Sequence, residues 1–254
     1  TDAIFSTATM CKSLMADGII DSRSCPCTTS GGAASSTQQA LGTMTVGALD
    51  YTPYGWQPAQ GQLLSIPEQQ AFFALIGDTW GGNATSNFGS PKPTGPWAGL
   101  RMGKDGTGKC LQWSVPWTGL WPAGQIPLVP GEVYFTSIQS YGQSSLSEAG
   151  AKKIELGYLL GKGFTAWQIP DLWEPDDSVM LASLHLFPKA TAIPQGMLPA
   201  NGLAVMLPNG SLNNRQIPFA SAVYSLVGAN LPDVAAPDGY QWAIAVEGVY
   251  PSRN

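Results

Sequence analysis

Short apolar stripes with helical spacing recur along the chain, and the first of them has both of its ends marked. It covers residues 72–76 and stops at Gly77. Ser65 and Glu68 precede it with the spacing of a capping box, in which two side chains bond free N–H groups of the first turn. This pattern predicts a short helix that begins after Ser65 and ends at Gly77.

Two later segments repeat the pattern. Residues 219–227 follow Pro218, carry an apolar stripe and stop at Gly228. In the middle of the chain, Ser145 and Glu148 precede an apolar run over residues 154–160 that stops at Gly161. We therefore expect a short helix in each segment.

A turn signal precedes each predicted helix. It consists of Pro-Ala followed closely by Gly, which combines a preset φ with a residue that tolerates positive φ. The three signals are Pro58-Ala59 with Gly61, Pro122-Ala123 with Gly124, and Pro199-Ala200 with Gly202. Chance recurrence is the alternative explanation, because the chain contains 30 Gly and 21 Pro.

These signals predict an α+β protein of three degenerate modules, β-rich with short helices and related by approximate threefold similarity. We divide it into residues 43–110, 111–187 and 188–254. Residues 1–42 differ in composition, because an apolar stretch is followed by a segment rich in Ser, Thr and Gly. The apolar positions of this segment are Ile4, Phe5, Leu14, Met15, Ile19 and Ile20.

We interpret residues 1–42 as an arm and linker that add a strand to a neighbouring subunit. An extension folded on its own domain is the alternative.

Cys11, Cys25 and Cys27 lie in the arm, while Cys110 stands apart. We favour a disulfide between Cys11 and Cys25 or Cys27, with reduced thiols as the alternative. No C-x-x-C pair and no nearby His supports zinc.

Composition narrows the classes of partner. Charged residues make up 11% of the 254 residues, and the net charge is −5. Without a basic cluster, nucleic acid is not expected as a partner. No apolar run has the length of a membrane span. The chain opens at Thr1, which we interpret as a processed chain, and we expect it to be extracellular or part of a virion.

The sequence contains few residues that are candidates for catalysis or ligand binding. His185 is the single histidine and lies in an apolar run, where a core role is more typical than general-base catalysis. Glu174, Asp176 and Asp177 are interpreted as a solvated loop rather than a cation site. We expect no catalytic, cofactor or metal site. Among nine Trp, Trp80 and Trp97 are the candidates for exposed binding aromatics, the others being assigned to core and interfaces.

Residues 44–103 resemble the phage tail collar domain, as found in microcystin-dependent proteins and phage short tail fibres. The resemblance is carried by Gly55-Trp56, Ala59-Gln60-Gly61-Gln62, Phe72-Phe73-Ala74-Leu75-Ile76-Gly77 and Trp80-Gly81-Gly82. The family's aromatic-x-x-Pro-Asp-Leu step is similar to Trp167-Gln168-Ile169-Pro170-Asp171-Leu172, and its closing strand to residues 242–254. Lys92-Pro93 departs from the family, which carries Asp-Leu after the proline.

The resemblance implies a collar-like fold, a role in tail, fibre or surface assembly, and no catalytic residues. Collar proteins form trimers, so triplication within one chain could replace a homotrimer. We therefore expect a non-enzymatic subunit of an extracellular filament or phage-tail-like fibre that associates with copies of itself. A glycan- or receptor-binding adhesin is the alternative, and a polysaccharide hydrolase has the least support.

Overall fold

The computed structural model describes residues 31–34, 39–100, 111–122, 128–138, 143, 146–171 and 179–252, with only the backbone for residues 31–34. Thirteen strands and two α-helices lie wholly in this part of the chain, and residues 143 and 146–148 are also helical. The strands are β1 (Gly31–Ala34), β2 (Thr43–Gly47), β3 (Thr52–Tyr54), β4 (Trp56–Pro58), β5 (Leu63–Ser65), β6 (Asn87–Gly89), β7 (Gln112–Pro116), β8 (Val133–Thr136), β9 (Lys152–Ile154), β10 (Thr165–Gln168), β11 (Ser183–Pro188), β12 (Met197–Pro199) and β13 (Tyr240–Ala245). The helices are α1 (Gln70–Ile76) and α2 (Ala220–Val227).

Nine of these strands form one sheet that draws on residues from all three predicted modules. Its main path runs β12-β13-β11-β2-β8-β10-β9, and β7 joins β2 to β4. The pairings within it are antiparallel. The described chain is thus β-rich with short helices, as the pattern predicted.

Both helices with strong sequence signals are present, and a glycine ends each of them. The N–H of Gly77 donates to the carbonyl of Phe73, and Gly77 has a φ of 63°. The N–H of Gly228 donates to the carbonyl of Tyr224, and Gly228 has a φ of 86°. The capping-box prediction is wrong, because Ser65 belongs to strand β5 and α1 begins at Gln70 without a side-chain cap.

Residues 143 and 146–148 in the middle of the chain are helical, but the helix predicted over the apolar run at residues 154–160 is wrong. Residues Lys152–Ile154 form strand β9, which pairs with β10, and Gly157–Leu159 form one short 3-10 turn. Cross-strand pairing therefore prevails over the local apolar spacing, which is a weak determinant in so short a segment. Leu159 and Leu160 from this turn are buried in the main core.

An aromatic cluster lies at the centre of the core. Trp97 packs against Trp242 with 5.1 Å between ring centroids and against Phe135 with 6.1 Å. Trp113 packs edge-on against Phe135 and donates from Nε1 to the carbonyl of Trp97 at 2.9 Å. Residues far apart in sequence thus share one core, which ties the parts of the sheet together.

The linker contributes one strand at the edge of the fold. Strand β1 pairs in parallel with β3, with Gly31 opposite Thr52 and Ala34 opposite Tyr54. The apolar arm residues Ile4, Phe5, Leu14, Ile19 and Ile20, and the cysteines Cys11, Cys25, Cys27 and Cys110, lie outside the described residues. Their roles stay predictions. In the part of the chain that is described, no helix is long and apolar enough to cross a membrane.

Candidate functional site: the junction of the inner strands

The three strands β2, β8 and β11 meet at the middle of the sheet, and each pairs with both of the others. Thr43 and Met44 lie opposite Thr136 and Phe135. The start of β11 lies opposite Val46 and Gly47, and Leu186 lies opposite Val133. The junction brings together residues from the beginning, middle and last third of the chain.

A polar network bridges β8 and β11 at this junction. The Nδ1 atom of His185 lies 2.7 Å from Oε2 of Glu132, and its Nε2 lies 2.8 Å from Oγ of Ser183. Ser183 donates its hydroxyl proton to the carbonyl of Met180 at 2.6 Å. The N–H of Val129 donates to the second carboxylate oxygen of Glu132 at 3.1 Å.

A second polar contact joins β2 to β8. Thr43 donates its hydroxyl proton to the carbonyl of Ala40 at 2.7 Å. Its oxygen therefore accepts the hydroxyl proton of Tyr134, which contacts it directly. Burial raises the pKa of Tyr134 well above its ordinary value of 10.0, so the phenol remains a donor at neutral pH.

Ser183, His185 and Glu132 are the residue types of a nucleophilic triad, but their hydrogen bonds have the wrong direction for that chemistry. In a triad the imidazole accepts the proton of the serine hydroxyl. Here Ser183 donates its hydroxyl proton to the carbonyl of Met180 instead. Ser183 is also only 2% exposed. The geometry fits a structural link between strands.

The space beside the network is too small for a substrate. The cavity lined by Glu132, His185, Thr43 and Tyr134 has a volume of about 40 Å³. Pockets that hold small molecules measure roughly 300–1,000 Å³. In the described part of the chain, no group of three or more His, Cys, Asp or Glu is placed to hold a metal ion.

The structure places the two candidate binding aromatics differently. Trp97 lies in the core with 9% exposure, so the expected exposure of this ring is wrong. Its place between Trp242 and Phe135 explains the burial. Trp80 is half-buried and packs on Phe164 with 5.1 Å between ring centroids. Glu174, Asp176 and Asp177 lie outside the described residues.

Sequence reasoning identified His185 but missed its partners. Glu132 and Ser183 are separated by 51 residues, and single-sequence patterns carry no information on such a contact. One local signal was available, because Thr43 and Glu132 are polar residues that each directly follow a glycine at the start of an apolar strand. That position, immediately after a turn, is where a buried side-chain acceptor or donor can bond the turn backbone.

Residues 42–95 match the family model of the phage tail collar domain. The matched segment begins at the turn before β2 and includes β3, β4, β5, α1 and β6. It lies within residues 44–103 apart from its first two positions, so the resemblance seen in the sequence is confirmed for this segment. The chain has no match among curated proteins or among solved structures.

Proposed function

We propose that this chain, with its phage tail collar segment at residues 42–95, is a non-enzymatic structural subunit of an extracellular filament or phage-tail-like fibre. In this proposal the chain is a pseudo-trimer of three modules and assembles with its own copies through the N-terminal arm. The collar match supports a structural protein of the tail-fibre type. The pseudo-trimer and the arm are supported by the observations below.

The pairing of the inner strands supports the threefold arrangement, because it is cyclic. The start of β2 pairs with the end of β8, and the start of β11 pairs with the end of β2. Completing the cycle, Val133 at the start of β8 pairs with Leu186 toward the end of β11. Three related strands around a threefold axis would pair in this way.

The turns before the inner strands support the same relation. A residue with positive φ lies one or two positions before each inner strand: Gly42 at 82°, Gly131 at 74° and Ala182 at 64°. The next residue then donates its N–H to the carbonyl three positions earlier: Thr43 to Ala40, Glu132 to Val129 and Ser183 to Met180, each at 3.2 Å. Positive φ is unusual for alanine. Its occurrence at Ala182 therefore favours a common backbone conformation for the three turns.

Each inner strand also has two outer strands in the same order. These sets are β2-β7-β4, β8-β10-β9 and β11-β13-β12. They favour modules at residues 39–122, 128–171 and 179–252, which places β7 with the first module and β11 with the third. The boundary expected at residue 110 therefore moves to between residues 122 and 128, and the one expected at residue 187 moves to between residues 171 and 179. The segments before β9 and β12, rather than the one near Gly124, are then the counterparts of the segment before β4.

The arm is proposed as the means of self-assembly. The backbone pairing of β1 with β3 in a two-stranded sheet supports a linker that can add as a strand. The apolar arm residues precede this strand, and burying a handful of them on a neighbour at about 1.5–3 kcal/mol each would drive association. A glycan-binding adhesin is less well supported, because the ring of Trp97 is buried.

Electron microscopy of the purified chain, with sedimentation velocity, tests the proposed function. We expect regular polymers whose repeat contains one pseudo-trimeric subunit. Soluble particles of one or three chains that bind cells or glycans, and never polymerise, would contradict the structural proposal and favour the adhesin.

A further inference from the structure

The segment that pairs with β1, residues 52–54, has a counterpart in the last third of the chain. Pro53 and Gly55 precede β4, and Pro194 and Gly196 stand at the same distances before β12. Gly55 has a φ of 79° and Gly196 has a φ of 86°. Both segments therefore turn into their outer strand with the same backbone conformation.

Backbone hydrogen bonds show that the two segments also dock in the same way. The carbonyl of Gly55 accepts the N–H groups of Trp117 and Thr118 at 3.0 and 3.4 Å. The carbonyl of Gly196 accepts those of Val246 and Glu247 at 2.9 and 3.1 Å. Trp56 lies opposite Pro116, and Met197 lies opposite Ala245. The register of β4 on β7 is thus repeated by β12 on β13.

The two edges differ in whether a strand covers them. Residues 52–54 pair with β1, whereas residues 193–195 have no strand partner in the described part of the chain. Within that same part, the backbone N–H and C=O groups of Ile193 and Gln195 take part in none of the backbone hydrogen bonds. Gln195 is exposed and Ile193 is half-buried, packed on the apolar cluster that includes Met197. Backbone groups left unpaired in this way can accept an added strand.

We infer that residues 193–195 form a second acceptor edge, which binds the Gly31–Ala34 segment of another copy of this chain. The inference rests on the proposed self-assembly and names the surface on which it takes place. The segment is Gly-Gly-Ala-Ala, so strand addition depends on the backbone and makes little demand on side-chain fit. In its own chain this segment pairs with residues 52–54 through one edge. The proposed contact uses its other edge, which pairs with no strand in the described part of the chain.

The apolar arm explains why the segment would act between copies. Four small residues bury little surface, so alone they would bind weakly. The arm residues that precede them carry the apolar side chains that would supply most of the binding free energy. Docking of an arm on a neighbour would then bring residues 31–34 to that neighbour's uncovered edge at high effective concentration.

Photo-crosslinking from position 195 tests the inference. The full chain with p-benzoylphenylalanine in place of Gln195 is mixed with ¹⁵N-labelled chain, irradiated after assembly and digested for mass spectrometry. We expect crosslinks to residues 28–38 that join one labelled and one unlabelled chain. The same photoreactive residue in place of Lys189, which is exposed on the same connection, should give these crosslinks at less than a tenth of that yield.

Two backbone variants provide an independent readout by light scattering. Gln195→Pro removes one N–H from the edge and should slow polymer growth about tenfold, because a backbone hydrogen bond between the copies is lost. Gln195→Ala keeps the N–H and should grow at the normal rate.

The outcomes separate the inference from the proposed function. Polymers whose crosslinks from position 195 stay within one chain, or that grow equally well with Pro and Ala at this position, would overturn the acceptor edge while leaving self-assembly intact. A chain that remains monomeric and gives no crosslinks between copies would overturn both.

Discussion

Glu132 and His185 face each other across the junction of β8 and β11, with 2.7 Å between carboxylate Oε2 and imidazole Nδ1. The carboxylate side chain is 8% exposed and the imidazole is 14% exposed. The pair thus links strands that belong to different proposed modules. Its contribution is expected to be stability, with no part in chemistry.

Replacing His185 by Gln tests this role. We expect His185→Gln and Glu132→Gln each to lower the free energy of unfolding by about 1.5–3 kcal/mol, because a hydrogen bond to a charged group is lost. The double variant should be less destabilised than the sum of the two, since the partners interact directly. Urea unfolding measures these values, with exposed Glu155→Gln as the control within about 0.5 kcal/mol. Strict additivity would contradict the direct link, and a hydrolytic activity lost in His185→Gln would contradict the structural role.

The hydroxyl of Tyr134 predicts a pH dependence at the alkaline end. Burial raises the pKa of this phenol above 10.0 in the folded chain, so above that pH the unfolded chain releases a proton that the folded chain retains. Stability should therefore be unaffected by this group below about pH 10 and fall by up to about 1.4 kcal/mol per pH unit above it. Urea midpoints at pH 8 and pH 11 measure the fall.

Tyr134→Phe should remove this part of the alkaline destabilisation. Tyr158→Phe should retain it, because the ring of Tyr158 is 61% exposed. Equal alkaline losses in the wild type and in Tyr134→Phe would show that the phenol ionises freely in the folded chain.

Truncation of Trp97 and of Trp80 tests whether each ring belongs to the core or to the surface. Trp97→Ala should cost about 3–5 kcal/mol, as expected for truncating a large aromatic in a packed core. Trp80→Ala should cost about 1–2 kcal/mol, because this ring is half-buried and packs on one side against Phe164. Thermal unfolding followed by near-ultraviolet circular dichroism gives both values. Loss of glycan binding in a fully stable Trp97→Ala variant would contradict the core assignment.

Gly248 provides a test of the turn that closes the third module. It has a φ of 137°, and a Cβ placed there would lie 2.0 Å from the backbone carbonyl oxygen of Val179. Gly248→Ala should therefore destabilise the chain by more than 3 kcal/mol, beyond the roughly 1–2 kcal/mol of left-handed strain alone. Gly210→Ala is the matched control, because Gly210 has a φ of 81° and open space around it. Equal costs for the two variants in urea unfolding would contradict the close approach.

The sequence predicted the features that depend on local chemistry. Both α1 and α2 were found from an apolar stripe that ends at a glycine, and Gly77 and Gly228 have the positive φ expected of such residues. Features set by long-range pairing were missed or wrong. Ser65 was assigned to a cap but belongs to β5, opposite Asn87 of β6, because strand pairing outweighs a capping hydrogen bond at that position.

The candidate site was the least predictable part from sequence. His185 was recognised as a core residue, but its contacts depend on Glu132, which directly precedes β8 and lies 53 residues away in the chain. Likewise, Trp97 follows a Gly-Pro pair that is typical of exposed turns, yet its ring fills the space between Trp242 and Phe135. Only the assembled sheet determines which of these side chains meet.

Assembly with and without the arm tests the central proposal most directly. The full chain, a chain lacking residues 1–30, and a full-length variant with Ser in place of Ile4, Phe5, Leu14, Ile19 and Ile20 are compared by electron microscopy and sedimentation velocity. We predict polymers from the full chain and folded, soluble monomers from both variants, since the arm's apolar surface drives association. Polymerisation of both variants at the normal rate would contradict the account, because the arm would then be a local extension.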